Sequence, residues 1–132
     1  MYCLDTNTCI YFLNGRFDSI RERILATSPG KIAIPAVVKA ELLLGAYKSS
    51  KRTENTRKVE RFLEPFAVLP FADPETYVYA EIRAELEGTG RCVGPNDLMI
   101  AAIVRHNNAT LVTNNLKEFR QIKDLKLENW AI

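Results

Sequence analysis

Four acidic residues of this chain stand beside or within apolar segments, where carboxylates are uncommon. Asp5 directly follows "YCL", Glu41 lies in "KAELLLG", and Asp97 precedes "LMIAAIV". Glu118 lies in "TLVTNNLKEF", three residues after Asn115. Because an unpaired carboxylate is costly to bury, each acid either has a local role at a helix or belongs to a shared charged site. Carboxylates gathered in one place are the groups that bind hard divalent cations.

Each acid also has a simpler explanation when it is considered alone. Thr6 or Asn7 is expected to cap the first helix, and Asn96 with Asp97 is expected to cap a later one. Glu41, taken alone, fits the solvent edge of an amphipathic helix. The acid in "TLVTNNLKEF" can equally be an exposed charge behind a helix cap. The local patterns therefore leave both interpretations open.

Strand-like apolar runs alternate with helical patterns from one end of the chain to the other. The predicted strands are "YCL", "KIAIP", "AVLPF", "ATLVT" and, at a sheet edge, "LKLENW". The predicted helices include "TNTCIYFL", "AVVKAELLLGAYKSS", "DPETYVYAEIRAELEGTG", "PNDLMIAAIVRHNN" and "NLKEFRQI". A further helix, "FDSIRERILAT", would present Ile20, Ile24 and Leu25 on one face. The polar stretch "KSSKRTENTRK" is predicted to be a turn that leads into a helix through Val59 and Phe62.

This alternation predicts an α/β fold in three layers, with a mostly parallel central sheet flanked by helices. The 132 residues, 47% of them hydrophobic, suit a single domain over residues 1–132. The formal net charge of +2 is too small to indicate a nucleic-acid partner, so any basic patch must be local. Cys3, Cys9 and Cys92 lack zinc or disulfide spacing, and no segment resembles a signal peptide or membrane span. These features predict a soluble, cytoplasmic protein with reduced thiols.

The predicted fold would bring the acids together. Open parallel sheets form their sites in the crevice beyond the carboxyl ends of the strands, and Asp5 lies at such an end. Asp97 and Glu118 lie near strand ends or first helical turns that this fold would gather at the same edge. Three or four carboxylates would repel one another there unless a cation neutralised them. Their oxygen ligands suit Mg²⁺ or Mn²⁺, which also bind substrate phosphate, so these residues favour a metal-dependent phosphodiester site.

With these features the chain closely resembles the PIN-domain ribonucleases, and specifically the VapC toxins of bacterial toxin-antitoxin pairs. The segments that carry the resemblance are "LDTN", "AELLLGAYKS", "GPNDLMIAA" and "TLVTNNLKEFRQI…LKLENW". They run in order from the first strand to the last. Four ordered motifs across one domain are far more specific than a single acidic motif.

The resemblance implies a cytoplasmic endoribonuclease that needs Mg²⁺ or Mn²⁺ and inhibits translation by cutting RNA. Transfer RNA is the expected substrate, with initiator tRNA as the leading candidate, and the products would carry 5′-phosphate and 3′-hydroxyl ends. A VapB-like antitoxin would neutralise the enzyme. Operator DNA would be bound only through that antitoxin, and the chain would form a homodimer within the larger complex.

The resemblance also implies roles for individual residues. Asp5, Glu41 and Asp97 match the metal-binding acids of the family. Many PIN domains carry Asp at the place of Asn115, so Glu118, one helical turn on, is expected to supply the fourth acid through a water molecule. Either residue could complete the site. The polar side chains expected to orient the carboxylates are Thr6, Asn7, Thr113 and Asn115.

A basic region would have to guide RNA to this edge. The basic residues in and after the third predicted helix are Lys39, Lys48, Lys51, Arg52, Arg57, Lys58 and Arg61. Of these, Lys48, Lys51 and Arg52 are the predicted RNA contacts, although a solvated helix face would explain them as well. His106 lies far in sequence from the acids and is expected to cap the end of a helix rather than act as a general base.

Two other classes of function are compatible with parts of the sequence. A strand-end Asp followed by Thr also begins the aspartyl-phosphate phosphatases, but those resemble Asp-x-Asp, and here Asn7 takes the place of the second Asp. The other alternative is a catalytically silent partner that acts only in an antitoxin repressor complex on DNA. The presence of Asp5, Glu41 and Asp97 together argues against it.

Overall fold

Five short strands form one parallel sheet at the centre of the protein. A computed structural model describes residues 1–132. The strands are β1 (Tyr2–Leu4), β2 (Ile32–Pro35), β3 (Ala67–Leu69), β4 (Thr110–Val112) and β5 (Lys126–Glu128). Their order is β3-β2-β1-β4-β5, and every neighbouring pair is parallel. The predicted α/β fold with a parallel sheet is confirmed, and β5 lies at an edge as expected.

Seven helices connect these strands. They are α1 (Thr6–Leu13), α2 (Asp18–Ala26), α3 (Ala36–Lys48), α4 (Arg52–Leu63), α5 (Asp73–Gly88), α6 (Pro95–His106) and α7 (Leu116–Phe119). Because parallel crossovers are right-handed, the reversal of direction after β3 places α1 to α4 on one face of the sheet and α5 to α7 on the other. None of the seven has the length and apolar character that a membrane span requires.

The apolar runs of the sequence become the interior of this sandwich. All four residues of β2 are buried, as expected for a parallel strand that is covered on both faces. Half of α6 is buried as well, which explains why its sequence has almost no polar face. Trp130 and Phe119 are among the largest fully buried side chains, and the Trp130 ring packs edge-on against the Tyr2 ring of β1.

Two local predictions need correction. Leu25 does not share the buried face of α2, because Ile20 and Ile24 are 1% and 5% exposed whereas Leu25 is 64% exposed. The polar stretch after α3 is mostly helical, since α4 begins at Arg52 and the turn occupies only residues 49–51. The second difference arises because surface polarity alone distinguishes a turn from an exposed helix poorly.

The order of the strands creates a crevice beside β1. From β1 the chain continues to β2 on one side, whereas β4 lies on the other side of β1. The backbone N–H of Asp5 donates to the Val112 carbonyl at 3.1 Å and ties the two strand ends together. Such a switch in direction is where open parallel sheets bind ligands. The end of β1 is therefore the expected place for a site.

Candidate active site

Asp5 both caps a helix and faces the crevice. It is the N-cap of α1, and its Oδ1 accepts a hydrogen bond from the backbone N–H of Thr8 at 2.8 Å. The predicted capping by Thr6 or Asn7 is therefore wrong. The Thr6 side chain is used elsewhere, and Asn7 lies on the cleft. The two interpretations of Asp5 were not alternatives, because the same carboxylate caps the helix through Oδ1 and lines the cleft.

Burial governs the protonation of Asp5. The side chain is only 6% exposed, and this desolvation raises the pKa of its carboxyl above the usual value. Contacts with Thr113 and Thr8 favour the ionised form but do not offset the burial, and the charge of Glu41 raises the pKa further. Thr113 is itself fully buried at the end of β4. A cation beside Asp5 would restore the ionised form.

Glu41 is held by residues that neighbour the other two acids in sequence. It lies in the second turn of α3, and its Oε1 accepts from the Thr6 hydroxyl at 2.6 Å. Its Oε2 lies 3.4 Å from Nδ2 of Asn96. Thr6 follows Asp5 and Asn96 precedes Asp97, so α1, α3 and α6 meet at this carboxylate. Glu41 is thus an oriented member of the cluster rather than the solvent edge of a helix.

Asp97 lies in the first turn of α6 but does not cap it. The N-cap is Gly94, with no side-chain capping bond, so the predicted capping by Asn96 and Asp97 is wrong. Burial, followed by the charge and hydrogen bond of Glu118, raises the pKa of Asp97 to about 7, and the charges of Glu41 and Asp5 add to this effect. Burial is thus the largest cause of the shift, and repulsion from the neighbouring carboxylates adds to it.

Glu118 lies beside Asp97 and is held from two directions. Its Oε2 accepts from Nδ2 of Asn115 at 2.6 Å, and its Oε1 accepts from the backbone N–H of Gly94 at 3.3 Å. Asn115 is the N-cap of α7, yet its side chain makes no capping bond. Its backbone N–H donates instead to Oγ1 of Thr113 at 2.9 Å. Glu118 and Asn115 therefore form one unit, and each has a place at the site.

The side chains surround an acidic cleft of about 230 Å³. Its lining comprises Asp5, Thr6, Asn7, Glu41, Asp97, Asn115 and Phe119. Glu118 contacts Asp97 and Thr113 contacts Asp5, but neither of the two lines the cleft. No positively charged side chain lines the cleft. The structure thus brings together all four acids that the sequence singled out.

The donor set fits a hydrated divalent cation. Carboxylate and amide oxygens are ligands for Mg²⁺ and Mn²⁺, and the mutual repulsion at Asp97 is relieved when a cation enters. No three acidic, His or Cys side chains are close enough together to hold a cation by themselves, so water or phosphate oxygens would have to complete its coordination. Mg²⁺ usually retains several waters and uses one or two carboxylates, so an open cleft of this kind suits it.

The basic residues do not form the single cluster that their sequence positions imply. Lys39, Arg57 and Arg61 line a separate depression together with Glu60 and Glu64. The three predicted RNA contacts, Lys48, Lys51 and Arg52, are exposed between the end of α3 and the start of α4. The guanidinium of Arg52 lies 4.0 Å from the ring centre of Tyr47, which orients it at the surface.

His106 pairs with a buried acid on the far side of the sheet from α1. Its Nε2 lies 3.2 Å from Oε2 of Glu75, which is only 4% exposed. The residue that caps α6 is Asn107, so the predicted capping role of His106 is wrong. His106 is not a residue of the cleft.

Sequence reasoning missed two contributors to the site. Asn96 was explained only as a cap, although its amide reaches Glu41 from another helix. Gly94 supplies a backbone N–H to Glu118. The only sequence signal for either residue was its closeness to Asp97. Their partners lie 55 and 24 residues away along the chain, so no local pattern could identify the contacts.

The sequence matches the PIN domain family over residues 2–125. With its five-stranded parallel sheet and acidic cleft, the chain is a PIN-domain protein. It is 44% identical over 131 residues to ribonuclease VapC2 of Rickettsia felis, with 98% of each chain covered. It is also 38% identical over 130 residues to the tRNA(fMet)-specific endonuclease VapC of Shigella flexneri, again with 98% of each covered. The chain therefore belongs to the VapC ribonuclease toxins.

Solved structures agree with this assignment. The structure of VapBC2 from Rickettsia felis bound to a promoter DNA fragment matches with a TM-score of 0.91 at 44% identity, covering 98% of both chains. DNA-bound VapBC from Salmonella typhimurium matches with a TM-score of 0.92 at 36% identity, covering 98% of this chain and 97% of that one.

Proposed function

We propose that this VapC ribonuclease is a Mg²⁺- or Mn²⁺-dependent endoribonuclease that cuts tRNA, with initiator tRNA as the first substrate to test. The observation that carries the proposal is the convergence of Asp5, Glu41 and Asp97 at one cleft, with Glu118 against Asp97 and no positively charged side chain in the lining. The choice of substrate rests on relatives named as tRNA(fMet)-specific endonucleases.

Asp5 and Asp97 are the residues we assign to direct metal binding, with Glu41 as a third ligand or as the group that orients the attacking water. Glu118 would act through a water molecule. When bound, the cation would lower the pKa of a coordinated water and offset charge on the phosphate. Thr6 and Asn96 keep Glu41 in one orientation, and Asn115 does the same for Glu118. Thr113 contacts the Asp5 carboxylate and favours its ionised form. Asn7, on the cleft surface, is free to contact the RNA backbone.

In this proposal the RNA strand crosses the cleft with its phosphate facing the acids. Attack in line with the leaving 3′-oxygen would produce 5′-phosphate and 3′-hydroxyl ends. Lys48, Lys51 and Arg52 would bind phosphates that flank the cut, because the cleft has no positive side chain of its own. Neutralising one of these residues should weaken RNA binding and reduce its salt dependence.

The partners in this proposal come from the solved relatives, which are VapBC complexes on DNA. A VapB-like antitoxin would cover the cleft, and operator DNA would be reached only through that antitoxin. We expect a homodimer within this complex, in the cytoplasm. If the chain were instead a catalytically silent partner, neither the native protein nor Asp5→Asn would cleave RNA, and both would assemble with the antitoxin equally well.

The experiment is incubation of the antitoxin-free protein with total bacterial RNA, with Mn²⁺, with Mg²⁺ and with EDTA, followed by sequencing of new 5′-phosphate ends. Asp5→Asn is the matched variant, because its amide oxygen can still accept the capping bond from Thr8. We expect metal-dependent cleavage of tRNA that the variant lacks. Cleavage in EDTA, or by the variant at the rate of the native protein, would refute the proposal.

A further inference from the structure

A second cavity adjoins the acidic cleft. It lies between α1, α3 and α4, has a volume of about 350 Å³ and is lined by, among others, Ile10, Leu13, Gly45, Asn55 and Lys58. We call it the α3 groove. Glu41 lines both the α3 groove and the acidic cleft, so the two cavities are neighbours that share this side chain. A polymer whose phosphate lies at Glu41 would have its neighbouring unit at this groove.

Gly45 is the residue of the groove that most needs an explanation. It lies inside α3, one turn after Glu41, and it is exposed. Glycine within a helix lowers stability relative to alanine. A Cβ built at this position would meet no atom within 4 Å, and the backbone is helical, so neither packing nor conformation requires glycine. The missing side chain leaves open space above the helix, which a molecule from outside can fill.

The walls of the groove supply three different kinds of contact. Ile10 and Leu13 are apolar, and Lys58 adds a positive charge. Nδ2 of Asn55 donates to Oγ of Ser49 at 2.9 Å, and that hydroxyl donates in turn to the Ala46 carbonyl at 2.6 Å. This chain of bonds fixes the Asn55 amide and leaves its carbonyl oxygen as an oriented acceptor.

We propose that the α3 groove binds a nucleobase of the RNA strand next to the scissile phosphate, and that Asn55 selects bases with an amino group. Unstacked bases are bound between apolar side chains and identified by hydrogen bonds to their edges. Lys58 would bind the adjoining phosphate. The separation of Gly45 from Glu41, about 6 Å along the helix, places this base directly beside the reacting phosphate. The inference rests on the proposed function, since it requires RNA at the cleft.

Three variants test the groove. Gly45→Leu places a large side chain at the groove; a Cβ at this position meets no atom within 4 Å, so we expect the fold to be retained, which thermal melting will verify. Gly88→Leu is the matched control, because Gly88 is also an exposed helical glycine with open space around it but lies outside the groove. Asn55→Leu removes the acceptor and leaves the groove open. Each protein is assayed on the tRNA cut by the native protein and on oligonucleotides with single base changes around the cut.

We expect Gly45→Leu to lower kcat/KM about ten- to a hundredfold while Gly88→Leu leaves it unchanged. Asn55→Leu should relax the base preference at a single position beside the cut, which a merely structural role would not do. Native kcat/KM and native cut sites in Gly45→Leu would overturn the inference and leave the proposed function standing. Native cleavage with loss of antitoxin binding would identify the groove as a protein site instead. Absence of cleavage by the native protein would overturn both proposals.

Discussion

Replacing Asp97 with Asn should abolish cleavage and at the same time stabilise the metal-free protein. Asp97 is crowded by Glu118, Glu41 and Asp5, and burial with these charges raises its pKa from 3.8 to about 7. At about 1.4 kcal/mol for each pKa unit, ionising this buried carboxyl lowers the free energy of unfolding by at most about 4 kcal/mol at pH 8, and the Asn variant avoids that loss. Partial exposure and solvent screening reduce this to about 1–2 kcal/mol. An Asn amide removes the charge and can still donate to Glu118.

The sign of the pH dependence follows from the direction of the shift. Because the folded pKa is raised, the protonated carboxyl contributes stability that is fully present below about pH 4 and is lost as the pH rises through about 7. Native Asp97 and its Asn variant should therefore melt at similar temperatures near pH 4. Their difference should grow from there to pH 7 and reach about 4–8 °C at pH 8.

Thermal melting in EDTA at pH 4, 6 and 8 measures this difference directly. Glu85→Gln is the control, since Glu85 is an exposed acid of α5 outside the cleft and its loss should change stability by less than about 0.5 kcal/mol. Added Mn²⁺ should raise the melting temperature of the native protein more than that of Asp97→Asn. An Asp97→Asn variant that melts no higher than the native protein at pH 8 would refute the reasoning about repulsion.

Three further substitutions separate stability from catalysis. Asp5→Ala should lose cleavage and also the helix cap, which is worth about 1 kcal/mol of unfolding free energy, whereas Asp5→Asn should lose cleavage but keep the cap. Chemical denaturation and RNA cleavage measure the two effects. Thr6→Val removes the 2.6 Å bond to Glu41 and should lower kcat about 10- to 100-fold with little change in melting temperature, as kinetics at saturating RNA would show. His106→Ala removes the imidazole that lies 3.2 Å from the buried Glu75 carboxylate and should cost about 1–2 kcal/mol in denaturant unfolding, with unchanged cleavage per folded molecule.

The fold could be predicted from the sequence because each strand and helix is marked by a local pattern of apolar residues. Apolar runs such as "KIAIP" and "ATLVT" predict buried strands wherever they occur, and all five predicted strands are present. Parallel topology follows from the helices between them, and it brings strand ends to one edge whatever the surface residues are. Leu25 was misplaced because two adjacent apolar residues cannot both face the core at the edge of a helical stripe, and the pattern does not tell which one does.

The sequence also predicted the acidic residues of the candidate site, but it did not predict their hydrogen-bond partners. Asp5, Glu41, Asp97 and Glu118 were conspicuous because a carboxylate next to apolar residues has a high desolvation cost that something must offset. Whether a given acid caps a helix, meets an amide or repels its neighbour depends on distances between side chains that lie far apart in the chain.

The amino-acid sequence by itself therefore determined the order of the elements, the parallel sheet and the identity of the acids. Packing decided how those acids are held: the Thr6 hydroxyl meets Glu41 across 35 residues, and the Asn96 amide reaches the same carboxylate across 55. It also decided that Asp5 has two roles and that a groove adjoins the cleft at Glu41. Residue type and spacing control local conformation and burial, whereas hydrogen bonds and charge repulsion depend on separations of a few ångströms that exist only once the helices have packed against the sheet.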